Sequence, residues 1–235
     1  MDTVHDHLYT LIEDYIASGY RRRNPRQRDA AATPQPAPAA DDDRVVTGEE
    51  RERRLADLVA AIRSCNNCPL SAVRNRAVPG AGVLDPLVMV IGEGPGADED
   101  RTGEPFVGRA GSFLDKWLEA IDLSRETNAY ITNIVKCRPP QNRDPLPDER
   151  AACIPYLERQ IALVRPRVIL SVGRISSRVV CGVDASMGEI RKQTFQYRGV
   201  PVVATYHPSA VLRNETLKRP VWEDLKRLRA ICDRS

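Results

Sequence analysis

Apolar residues recur in two alternating rhythms from position 47 onward. Short, nearly continuous Val/Ile/Leu runs at 87–91, 129–135, 168–172 and 200–206 predict strands. Segments with apolar residues every three or four positions, at 111–121, 147–164 and 221–231, predict helices. A further helix is expected from Thr47, a capping residue followed three positions later by Glu50, to Arg63. Strands that are apolar on both faces and alternate with helices indicate an α/β domain over 47–235, its parallel sheet covered on both sides. In such sheets ligands bind outside the carboxyl ends of the strands, which is where Glu93, Asn133 and His207 all fall.

Ahead of this domain, Val4, Leu8, Leu11, Ile12, Tyr15 and Ile16 share one helical face, so residues 1–20 are expected to form a short amphipathic helix. Residues 21–46 are rich in Ala, Pro, Gln and Asp, a composition that buries no core and predicts a flexible linker. A tethered helix of this kind is a candidate docking element for a protein partner.

Composition narrows the setting. Hydrophobic residues make up 42% of the 235, enough for a packed core. No apolar run approaches the roughly 18 residues that a membrane span needs, so no membrane association is expected. The first residues lack the basic and apolar regions of an export signal, and a cytoplasmic location is expected. Thiols stay reduced there, which makes six cysteines favour a metal site over a disulfide framework. A net charge of +3 permits nucleic-acid binding without arguing for it.

Four of the cysteines stand out. Cys65-x-x-Cys68, Cys137 and Cys153 form a complete thiolate set, suited to zinc or to an iron–sulfur cluster. Cys181 and Cys232 are left over as free or buried thiols. The loop Gly92-Glu93-Gly94-Pro95-Gly96 has the glycines of a nucleotide-binding turn, but neither a dinucleotide fingerprint nor a P-loop lysine. Its proline and carboxylate suit a neutral heterocycle held by backbone amides, with Glu93 either positioning a water or merely solvated. Phe106, in a glycine-rich segment before a helix, is a candidate stacking platform. Asn133 is polar within an apolar strand, and its amide either bonds neighbouring backbone or reads the edge of a base. His207 is held by Pro208 and is the one histidine of the folded domain. Val211 and Leu212 would suit an apolar wedge, with Arg213 on a phosphate.

Taken together, Gly92 to Gly96, Gly103 to Gly111, Thr132 to Pro140 and His207 to Arg213 resemble the motifs of the iron–sulfur uracil-DNA glycosylases, often called family 4, over about residues 65–228. The resemblance implies a three-layer αβα fold around a four-stranded parallel sheet and a [4Fe-4S] cluster on Cys65, Cys68, Cys137 and Cys153. It also implies hydrolysis of the N-glycosidic bond of uracil in single- or double-stranded DNA, with the chain acting as a monomer. By the same resemblance, Phe106 stacks on a flipped-out uracil and Asn133 bonds its O4 and N3–H. His207 and the Gly94 amide steady O2, and Glu93 orients water or the sugar cation. Gly92 flanks the base, and Glu99 is expected as the wall against the thymine methyl. Arg109, Ser209, Val211, Leu212 and Arg213 are expected on the DNA, with Arg138, Arg143 and Arg150 as further phosphate contacts. The alternative from another class is a cluster-bearing DNA-binding or redox-sensing module without cleavage.

Overall fold

The computed structural model describes residues 47–234, so the expected N-terminal helix over 1–20 and the linker over 21–46 lie outside the described residues. The first helix, α1 (Gly48–Ser64), begins where expected, with Thr47 Oγ1 accepting from the Glu50 backbone N–H at 3.3 Å. Glu50 does not close a reciprocal box; its carboxylate pairs instead with Arg53 and Arg54 on the same helix.

Six strands follow in chain order: β1 (Ala81–Gly82), β2 (Val88–Gly92), β3 (Ala129–Asn133), β4 (Val168–Val172), β5 (Phe195–Tyr197) and β6 (Val200–Thr205). They form one sheet in the order β1-β3-β2-β4-β6-β5. The expected four-stranded sheet is therefore six-stranded and mixed. The pairings β3–β2, β2–β4 and β4–β6 are parallel, and an antiparallel strand lies on each edge, β1 on β3 and β5 on β6. These two edge strands are two and three residues long, too short for an alternating pattern to stand out from the flanking loops.

Every residue of β2, β3 and β4 is buried, as the continuous apolar runs require. Because side chains alternate along a strand, β2 sends Met89 and Ile91 into one hydrophobic cluster and Val88 and Val90 into another. The first cluster takes Leu58 and Ile62 of α1 with Leu157 and Ile161 of α4 (Pro147–Val164). The second takes Leu114 and Leu118 of α3 (Arg109–Glu119) with Leu225 and Leu228 of α8 (Lys218–Cys232). Between them the chain forms short helices at the carboxyl side of the strands: α2 (Ala97–Thr102), α5 (Arg174–Cys181), α6 (Met187–Ile190) and α7 (Pro208–Arg213). Burying every residue of β2 and β3 fixes their register, and with it the strand ends at Gly92 and Asn133.

Candidate active site and cysteine cavity

A cleft of about 820 Å³ opens at the carboxyl ends of the central strands, in the size range of small-molecule sites. Glu93, Gly94, Glu99, Phe106, Asn133 and His207 line it, so residues up to 114 positions apart in sequence meet there.

Its floor is built by close approach. A Cβ on Gly92 would lie 2.3 Å from Asn133 Oδ1 and 2.7 Å from the Phe106 ring, so only glycine admits both groups beside the strand end. Sheet-like bonding continues one step beyond the strands, Ile134 N–H to Gly92 O at 2.9 Å and Val135 N–H to Glu93 O at 3.1 Å, which locks the glycine loop to the Asn133 segment. Asn133 is 1% exposed, and its Oδ1 has no hydrogen-bond partner. A buried acceptor left open costs free energy unless something fills it, so this carboxamide is shaped for a donor from outside the chain.

Phe106 sits in the left-handed region, at φ 53°, and its ring lies 5.7 Å from that of His207 at an interplanar angle of 32°. His207 caps α7. Its Nδ1 accepts from the Ser209 backbone N–H at 3.1 Å, with the Ser209 hydroxyl 2.8 Å away. A backbone amide can only donate, so the neutral ring carries its proton on Nε2. Burial, reinforced by the Arg213 cation and opposed by Glu99, lowers the imidazole pKa to about 4. Near neutral pH the ring is therefore an uncharged Nε2–H donor.

Burial raises the Glu93 carboxyl to about 7; repulsion from Asp144 adds to this, and Arg174 and Arg150 oppose it. A folded-state pKa above that of the unfolded chain means that folding takes up a proton, and stability is lost as pH rises from about 4.5 through about 7. Glu93→Gln should consequently raise the melting temperature near pH 8 by more than near pH 5. An equal shift at both pH values, measured by calorimetry, would show that the carboxyl carries no such penalty.

Glu99, expected as a wall, lines the cleft, but both its oxygens are committed to backbone amides. Oε2 accepts from Gly96 N–H at 3.0 Å, and Oε1 from Val107 and Gly108 N–H at 2.9 and 3.0 Å. Val211 is corrected outright: it is 1% exposed and packs in the cluster with Leu114 and Leu225, because α7 turns that face inward. Leu212 is 48% exposed beside it, and Arg109, Ser209 and Arg213 line the cleft. Arg143 is not a free cation: it forks onto the buried Glu149 at 2.8 and 2.6 Å, and Arg138 bonds Asn142 at 2.7 Å. Sequence reasoning missed the Arg174–Asp144 pair at 2.5 Å on the same cleft, since neither residue stands in a motif.

Behind the sheet ends, Cys65, Cys68, Cys137 and Cys153 line a second cavity, together with Ile62, Arg74 and Tyr156. Three of the four sulfurs accept N–H bonds: Cys137 from Arg74 Nη1 at 3.0 Å, Cys153 from Lys136 N at 3.4 Å and Cys65 from Asn67 N at 3.5 Å. These are the donors that a ligating thiolate wants. Burial pushes the Cys153 thiol up to about 12, so ionisation there calls for a bound cation. Among the described residues, no three His, Cys, Asp or Glu side chains form a group that could hold a single metal ion. Cys181 and Cys232 stand apart from the cavity as free thiols.

Comparison with known proteins places the chain in a family. A family model described as the uracil DNA glycosylase superfamily matches residues 79–226. Proteins named type-4 uracil-DNA glycosylase are similar over most of the chain. The one from Thermotoga maritima is 41% identical over 77% of this chain and 95% of its own length. That from Archaeoglobus fulgidus is 39% identical over 76% and 93%, and that from Pyrobaculum aerophilum 42% identical over 73% and 91%. A glycine-floored cleft facing an open carboxamide, and these relatives matched over nearly their whole length, lead to one conclusion: the chain belongs to the uracil DNA glycosylase superfamily and, within it, to the type-4 group.

Proposed function

We propose that this protein excises uracil from DNA by hydrolysing its N-glycosidic bond, leaving an abasic site for base excision repair. The observation that carries the reading is the open Asn133 Oδ1 in the same cleft as the Phe106 ring and the His207 donor. Uracil offers N3–H and O4 side by side. The carboxamide can take the first with Oδ1 and give to the second with Nδ2, whereas cytosine presents the opposite pattern and would leave buried groups unpaired. A base stacked in a duplex is out of reach of such a cleft, so the nucleotide is flipped into it, most readily from single strands or mismatches.

Cleavage leaves positive charge on the sugar and sends the bonding pair into uracil, as negative charge shared with O2. The neutral Nε2–H of His207 and the Gly94 N–H, both on the cleft, would donate to that oxygen, and a neutral donor holds an anion without first giving it a proton. Glu93 orients the water whose oxygen bonds to the sugar carbon. The proton that this water loses ends on the departing base. With its pKa near 7, the carboxyl is half ionised at neutral pH, and kcat/KM should fall on the acid side of that value in wild type but not in Glu93→Gln. Arg109, Ser209 and Arg213 contact phosphates, and Leu212 fills the space left by the flipped base.

We infer that the cysteine cavity is the site of a [4Fe-4S] cluster. Four cysteines line one cavity, N–H donors face three of their sulfurs, and four thiolates are the set that ligates the four irons of such a cluster. Cys65, Cys68, Cys137 and Cys153 would hold the cluster, whose iron–thiolate bonds would tie the segment from Cys137 to Cys153 to the end of α1; the hydrolysis itself moves no electron. Purified protein should carry about four iron atoms per chain, and stoichiometric zinc without iron would remove the cluster from the reading.

The function is tested with labelled oligonucleotides differing at one position, U, C or T, each treated with alkali after incubation. Strand breakage at U alone is expected. Breakage at none of the three by cluster-loaded protein would favour a DNA-binding or sensing module instead.

A further inference from the structure

The aromatic platform rests on a turn that its own sequence does not favour. Phe106 is a bulky residue at φ 53°, where a Cβ crowds the backbone, so neighbouring groups must impose the conformation. Two side chains grip the turn from opposite sides. Glu99 takes the N–H groups of Val107 and Gly108, which follow the ring. Arg125, in the segment between α3 and β3, takes the carbonyls: Nη1 donates to Pro105 O and Nη2 to Phe106 O, each at 3.0 Å. The guanidinium is aimed by Asp115 of α3, whose Oδ1 accepts from Nε at 3.1 Å and from Nη2 at 2.6 Å. Gly111 completes the arrangement, since a Cβ there would lie 1.9 Å from Phe106 O. Arg125 does not line the cleft, so any effect it has on the base must pass through Phe106.

We propose that Arg125 is a positioning residue for base recognition: by holding two successive carbonyls, it sets the plane on which the uracil stacks. The proposal rests on the uracil reading of the cleft. A planar five-donor fork is needed for this geometry, and lysine, a point donor, cannot span both carbonyls while remaining on Asp115. Stacking holds the base in the substrate and in the transition state alike, so its loss acts on KM and on inhibition by free uracil more than on kcat.

Wild-type scission of a single-stranded uracil oligonucleotide is measured first; its absence would remove the uracil reading and this inference with it. Given scission, Arg125→Met, which keeps the aliphatic stem, should raise KM and the inhibition constant of free uracil about tenfold, the scale of one base–aromatic stack. Arg125→Lys should recover part of that loss. In a Phe106→Ala background, Arg125→Met should add nothing, because the two changes act through one ring. Unchanged uracil inhibition in Arg125→Met, or a loss of the same size in the Phe106→Ala background, would overturn the assignment while leaving the glycosylase reading intact. If Arg125→Met does not fold, Asp115→Asn carries the same comparison, since it loosens the guanidinium without touching its carbonyl acceptors.

Discussion

Replacing His207 with alanine is expected to lower kcat/KM for uracil excision by about 10²–10³-fold, the range for removing one donor from a developing oxyanion. The loss should fall on kcat, because the donor matters most once uracil carries negative charge, and DNA retention should persist because the Arg109 and Arg213 cations remain in place. Its pH dependence is also specified. With the imidazole pKa lowered to about 4, the ring stays neutral through the acid limb governed by Glu93, so His207→Ala should scale the pH profile down without moving that limb. A profile whose acid limb moved in His207→Ala would assign the titration to the histidine and contradict the Glu93 role. Loss of DNA retention together with cleavage would instead favour a binding module.

Asn133→Leu is expected to have the second large effect. The substitution keeps the branched outline but removes both halves of the donor–acceptor pair, leaving N3–H and O4 of the flipped base buried and unpaired. Two such losses at about 1–3 kcal/mol each correspond to a fall of on the order of 10²-fold or more in kcat/KM for uracil. The protein itself should not lose stability, and a small gain is expected, because Oδ1 has no partner in the folded chain to lose. Lower activity with equal or higher melting temperature would identify a residue held for substrate. A matching fall in stability would identify a structural amide.

The elements that were legible in the sequence are those buried along their whole length, β2 and β4, or along one face of a long helix, α4. The Val/Ile runs of β2 and β4 and the long periodic helix α4 leave one reading each, and the observed Val168–Val172 and Pro147–Val164 coincide with the expected bounds. The edge strands and short helices were hidden because their signal is not apolar. In α5, Ser176 and Ser177 are fully buried, bonded to Ser171, and Ser176 also to Ile91 O; they read as polar positions, and so no helical face was visible. Val211 was misread as exposed because six residues of α7 are too few to define a face. At the site, Asn133 was recognisable as a polar break in an apolar strand, and His207 by its place at a strand end. Arg125 was not, since an arginine in a loop looks like any solvated cation. Its partners, two backbone carbonyls 19 and 20 residues away, carry no sequence signature.

The most direct measurement compares excision from two oligonucleotides that differ only by a methyl group on N3 of a single deoxyuridine. Uracil should be released from the first, and the N3-methyl base left in place in the second, because the methyl removes the donor that the open Asn133 Oδ1 receives and occupies its space. Release of both at similar rates would contradict recognition through Asn133, and release of neither would contradict uracil excision itself.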